Sequence, residues 1–109
     1  MKLTGPLERV LRVLTADPAA QHYGYDLMKA AGLPSGTLYP MLARLQREGL
    51  VRSEWEAQRE VAGGRPPRKY YRLTAEGVRV ARLELAHASA QARRAAQGTA
   101  ARPVQEGTR

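Results

Sequence analysis

The chain contains no cysteine and no phenylalanine, one tryptophan, two histidines and two aspartates, Asp17 and Asp26. Without cysteine there can be no disulfide, no thiolate zinc site and no thiol nucleophile. His22 and His87 are far apart and have no ligand-like neighbours, so no metal is expected. No apolar run approaches the roughly eighteen residues that span a bilayer, so no membrane partner is expected. The start, Met1-Lys2-Leu3-Thr4-Gly5-Pro6, leads into no apolar stretch with a small-residue cleavage site, and a cytoplasmic protein is the expectation. Ser35-Gly36-Thr37 lacks the flanks of a nucleophile elbow, and no His-Asp pair stands beside it. Glu54, Glu56 and Glu60 read as solvated residues on the polar face of a strand and the loop behind it, not as paired acid–base groups. Catalysis, metal and cofactor are therefore all unexpected.

What remains is small and basic. The 109 residues are one domain's worth, with 18 Lys and Arg against 10 Asp and Glu, a net charge of +8. Such a chain should seek a polyanion, with nucleic acid first and an anionic membrane surface second. So short a chain buries only about 60–65% of its unfolded surface, and a dimer would add burial.

Leu7, Val10, Leu11 and Leu14 repeat at i, i+3, i+4, i+7, one face of a helix, with Pro6 at its start and Asp17-Pro18 at its end. A second, shorter helix is expected near 25–31, stopped by Gly32. Leu38, Met41, Leu42 and Leu45 mark a third, with Ser35 as N-cap, Pro40 near the first turn and Gly49 as the left-handed stop. The period then becomes two: Val51, Ser53, Trp55 and Ala57 on one face, Arg52, Glu54 and Glu56 on the other. Residues 59–67 read as a loop and 69–73 as a second strand with Tyr71 and Leu73 inward, closing an antiparallel hairpin. Trp55 and Tyr71 are expected to cover the core; alternatively, Trp55 borders an effector cleft.

Thr74 caps a last helix, expected over 76–97. Val78, Ala81, Leu85, Ala88, Ala92 and Ala95 form a stripe of mostly small residues on it. Close approach of two such helices makes that stripe a candidate subunit seam; packing on the chain's own domain is the alternative. Residues 98–109 are expected to be a disordered tail.

The fold class is thus mainly α with a small β-hairpin: a winged helix-turn-helix over 1–75 plus a C-terminal dimerisation helix. The outward face of the third helix carries Thr37, Tyr39, Pro40, Arg44 and Arg47. In a helix-turn-helix the N-terminal residues of this helix face base edges, where Ser35 and Thr37 can exchange hydrogen bonds. Backbone N–H groups near Ser35 and Gly36 suit a phosphate. The stretch 63–72 holds Arg65, Arg68, Lys69 and Arg72 and no acid. There Arg65 is the candidate for a narrow minor groove, beside the stiffening Pro66, with Arg68 and Lys69 on phosphates.

The runs Tyr23-Gly24-Tyr25-Asp26-Leu27, Ser35-Gly36-Thr37-Leu38-Tyr39-Pro40-Met41-Leu42-Ala43-Arg44-Leu45, Gly49-Leu50-Val51 and Gly64-Arg65-Pro66-Pro67-Arg68-Lys69-Tyr70-Tyr71-Arg72-Leu73-Thr74, with Gly77 soon after, resemble the PadR family of transcriptional regulators. The resemblance covers roughly residues 7–80 and is closest to the family's short members. It implies a dimeric winged-helix repressor with the third helix in the major groove and the wing beside it. It also implies dimerisation through the C-terminal helix, helped by the first, which makes Leu7, Leu11, Val78, Ala81, Leu85, Ala88 and Ala92 candidate interface residues. Tyr25 joins Ser35, Gly36, Thr37, Tyr39, Pro40, Arg44, Arg65, Pro66, Arg68 and Lys69 as a candidate DNA contact. Some relatives bind aromatic effectors between subunits; the last helix here has no aromatic residue, so no aromatic-lined pocket is expected there. The partners expected are double-stranded DNA with an inverted-repeat operator and a second copy of the chain, with room left for an unidentified small-molecule effector. A protein-interaction winged helix and a non-specific nucleic-acid binder are the rivals. The first 74 residues hold 12 basic and 7 acidic groups, a net of +5, which weighs against the interaction module.

Overall fold

The computed structural model describes residues 1–57, 59, 61 and 63–107, with side chains up to Gln97. Four helices and a small sheet follow one another as α1 (Gly5–Ala16), β1 (His22–Tyr23), α2 (Gly24–Ala31), α3 (Ser35–Arg47), β2 (Val51–Trp55), β3 (Lys69–Leu73) and α4 (Ala75–Gly107).

Local chemistry sets the boundaries. The Thr4 hydroxyl accepts the Leu7 N–H at 3.3 Å and opens α1. Gly32 ends α2 in the left-handed region, φ 66°, which a side chain would strain. α3 starts one residue differently from the sequence expectation. The Pro34 carbonyl accepts the N–H groups of both Thr37 and Leu38 at 3.0 Å, so Pro34 is the N-cap and Ser35 is the first helical residue, its side chain capping nothing. Pro40 consequently sits inside the helix, past the first turn, and the Gly36 carbonyl it cannot serve lies in an exposed residue. Gly49, φ 76°, releases the chain into β2.

The sheet is antiparallel with strand order β1-β3-β2. β2 and β3 form the expected hairpin, pairing Val51 with Leu73, Ser53 with Tyr71 and Trp55 with Lys69. The third strand, β1, escapes sequence reading because two residues show no period. It places His22 opposite Tyr71 and Tyr23 opposite Tyr70.

The core joins the leucine stripes of three helices to the inner sheet face: Leu7, Val10, Leu11 and Leu14; Leu27; Leu38, Leu42 and Leu45; Val51, Tyr71 and Leu73. Each such leucine contributes about 1.5–3 kcal/mol by leaving water. α4 covers this core with Ala81 and Leu85, and α1 is its main neighbour. Leu7, Leu11, Ala81 and Leu85, expected at a subunit seam, are buried within the chain itself, because the first half of the α4 stripe packs on its own domain. Val78 is half-buried against the same core, and only Ala88 and Ala92 of the candidate set lie beyond it, half-buried and exposed respectively. α4 also continues to Gly107, where a tail was expected from 98.

Two further expectations reverse at the end of β2. Trp55, expected over the core, is 65% exposed, and Glu56, expected in solvent, is 7% exposed. The regular strand stops at Trp55 instead of running to Ala57, so the alternation has no covered face left to follow. Glu60 lies outside the described residues.

Candidate nucleic-acid interface

The outward face of α3 is open along its length: Ser35, Gly36, Thr37, Tyr39, Pro40, Arg44 and Arg47 are all exposed. The inner leucines, buried to 1% exposure or less, hold the helix at fixed roll, so the outer side chains point away from the core. Tyr39 lies over the start of α2, with its ring tip against Gly24. A Cβ on Gly24 would run into the Tyr39 hydroxyl and come within 2.9 Å of its ring carbons.

Between this ring and the hairpin lies a cleft of about 330 Å³, lined by Tyr23, Gly24, Tyr25, Asp26, Tyr39, Arg68, Lys69 and Tyr71. Four of the sequence candidates, Tyr25, Tyr39, Arg68 and Lys69, therefore meet in one place. The Arg68 guanidinium stacks 4.3 Å from the Tyr23 ring centre. The Lys69 ammonium stands 5.8 Å from the Trp55 ring and 6.0 Å from the Tyr71 ring, cation–π distances that hold it at the hairpin edge. Burial and the neighbouring Tyr39 push the Tyr71 hydroxyl above its ordinary pKa, so it remains a neutral donor. Pro40 and Arg44 instead line a groove of about 400 Å³ with Lys2 and Arg47. Ser35, Gly36 and Thr37 line neither cleft; they stand exposed at the start of α3.

Arg65 does not project. Its Nη1 donates to Glu56 Oε1 at 2.8 Å and its Nη2 to Oε2 at 3.2 Å. Nη1 also reaches the carbonyl of exposed Pro66 at 3.1 Å. Glu56 accepts the Arg68 backbone N–H at 2.8 Å and the Tyr23 hydroxyl at 2.8 Å, with Arg68 Nη2 3.7 Å away. The Arg65 guanidinium, then the Arg68 N–H, hold the Glu56 carboxyl at about 2, well below its ordinary 4.5. Sequence reading misses Glu56, because a glutamate that shares a polar strand face with Arg52 and Glu54 carries no mark of burial.

This shift has a measurable sign. A depressed carboxyl pKa contributes stability that is complete above the unfolded value of 4.5 and is lost as pH falls toward 2. The urea midpoint of the wild-type chain should therefore fall more steeply between about pH 5 and pH 2.5 than that of Glu56→Gln. Equal slopes would mean that the buried carboxylate is not linked to folding.

Among the described residues no group of three or more His, Asp or Glu could hold a metal ion, and no helix is long and apolar enough to cross a membrane.

The sequence model of the transcriptional regulator PadR-like family matches residues 10–83. The chain belongs to that family. PadR-like regulators bind DNA, and the helix-turn-helix and hairpin described above are the parts of this one that form the winged-helix unit. Solved winged-helix regulators share the fold. MepR of Staphylococcus aureus, a transcription regulator of the multidrug efflux pump MepA, superposes with a TM-score of 0.69 at 21% identity, covering 89% of this chain and 66% of MepR. PcaV of Streptomyces coelicolor gives 0.64 at 33%, covering 81% and 58%. A MarR-family regulator from Silicibacter pomeroyi gives 0.66 at 29%, covering 88% and 59%. The chain thus spans less than two thirds of the length of these proteins. No curated protein sequence matches it.

Proposed function

We propose that this PadR-like chain is a homodimeric, sequence-specific repressor that reads an inverted-repeat operator with α3 and grips the adjoining backbone with the wing. The observation that carries this reading is the shared cleft, where Tyr39 of α3 and Arg68 and Lys69 of the hairpin open on one side of the molecule. A helix and a basic hairpin that face the same way can straddle a groove edge. In a two-fold dimer the two α3 helices would enter successive major grooves about 34 Å apart. The seam is then carried by α4 beyond Leu85, around Ala88 and Ala92, because the earlier stripe is occupied. Repression is steric: a filled operator excludes polymerase. An effector, where one acts, would favour a dimer whose helices no longer match that spacing.

Two substitutions separate base reading from charge. Thr37→Ala should cost about 1–3 kcal/mol on the selected operator and nothing on random duplex. Lys69→Ala should weaken both alike and flatten the dependence of log K on log salt by about one unit. Titrations of both variants against both duplexes check this. Equal losses on the two DNAs for Thr37→Ala would remove its base-reading role and leave a charge-driven binder.

A further inference from the structure

We infer that Glu56 is a positioning residue for the wing, locking the hairpin stem onto β1 and withholding Arg65 from DNA. The inference rests on the DNA-binding reading above. Three donors from two distant segments converge on this one carboxylate: Tyr23 from β1, and Arg65 and the Arg68 backbone from the returning arm of the wing. The Glu56 side chain is 5% exposed, so its charge has little water to fall back on, and the arginines supply what water does not. The chain on either side is held as well. The Glu56 N–H donates to the Arg68 carbonyl at 2.9 Å, so the two residues are tied by backbone and side chain together. Arg68 is thereby set on the cleft wall, over the Tyr23 ring, with Lys69 next to it.

The consequence is a division of labour among the wing cations. Arg65 holds its carboxylate through both terminal nitrogens, so much of its charge is offset toward a phosphate. Arg68 is shared with Glu56 at 3.7 Å. Lys69 makes no ion pair among the described residues and stands at the hairpin edge over the Trp55 and Tyr71 rings. The wing cations read from sequence as one minor-groove residue, Arg65, and two phosphate contacts, Arg68 and Lys69, become in this inference one lock, one wall and one contact.

The test uses the full chain and two readouts. The first is limited trypsin cleavage after Arg68, whose backbone the lock holds; the Arg65–Pro66 bond resists trypsin and does not interfere. Glu56→Gln should accelerate this cleavage several-fold, and Arg65→Ala, which keeps the carboxylate, less so. The second is the salt slope on a random duplex. Glu56→Gln should steepen it by about one unit as Arg65 is released to a phosphate, Arg65→Ala should not flatten it, and the double variant should lose most of the Glu56→Gln gain, keeping only what the release of Arg68 adds. Unchanged cleavage in Glu56→Gln overturns the inference, as does a slope that drops by about one in Arg65→Ala, since Arg65 would then already be on DNA. Failure of the wild-type chain to bind any duplex would instead overturn the DNA-binding reading, and the cleavage rates would still decide the lock.

Discussion

Replacing Gly77 with alanine is expected to destabilise the chain by about 2–4 kcal/mol and lower its Tm by about 10 °C or more. In an isolated helix the same change would add about 1 kcal/mol of helix propensity, so the sign is set by packing. A Cβ on Gly77 would run into the Leu50 carbonyl oxygen, with the carbonyl carbon at 2.8 Å and Cα at 3.2 Å. Leu50 cannot move aside. Its carbonyl accepts the Thr74 N–H and its N–H donates to Leu45, both at 3.0 Å. α4 cannot move either without cost, because the Thr74 hydroxyl both accepts the Gly77 N–H at 2.9 Å and donates to the Gly49 carbonyl at 2.7 Å. The close approach of backbone to backbone here joins the end of α3, the start of the hairpin and the first turn of α4. Thermal and urea melts of Gly77→Ala check it; a Tm within about 2 °C of wild type would show that the contact yields more easily than these hydrogen bonds allow.

The second large effect falls on the recognition helix. Leu38 has no exposed surface, and its chain neighbours Thr37 and Tyr39 occupy the open face. Leu38→Ala should cost about 2–5 kcal/mol through lost burial and the cavity left behind. It should also loosen the roll of α3. At a temperature where the variant remains folded, affinity for the operator should fall several-fold while the salt slope stays at the wild-type value, because every cation is still in place. Melts combined with operator titrations at two salt concentrations measure both. A loss of stability with undiminished operator affinity would mean that the orientation of α3 does not depend on this leucine.

The helices were legible because their leucines repeat at helical spacing and because Gly32 and Gly49 end them, as the left-handed φ values at both positions bear out. β3 was legible in part: Tyr71 and Leu73, read as inward, are buried, but Tyr70 on the other face is buried as well. Other features depend on facts that no local pattern carries. Two residues of β1 are too few to show a period. The α4 stripe shows which residues share a face but not which surface that face meets, and for Ala81 and Leu85 the nearer partner is the chain's own α1 and sheet. Alternation along β2 identifies two faces but not the point where the covering helices stop, and Trp55 and Glu56 stand at that point. Arg65 reads as a free cation until Glu56 is known to be buried nine positions away in sequence. Of the residues that line the cleft, Tyr25, Tyr39, Arg68 and Lys69 were already candidates in the sequence, Tyr25 through the family resemblance and Arg68 and Lys69 through the basic run; Glu56, which holds the Arg68 backbone, was not.

Selection of binding sites from a random duplex pool tests the central claim most directly, that the open face of α3 and the stem of the wing address one stretch of DNA together. The account predicts enrichment of an inverted repeat whose half-sites lie about one helical turn, 10–10.5 base pairs, apart. Binding that persists through every round and vanishes with salt, yet enriches no sequence, would contradict it.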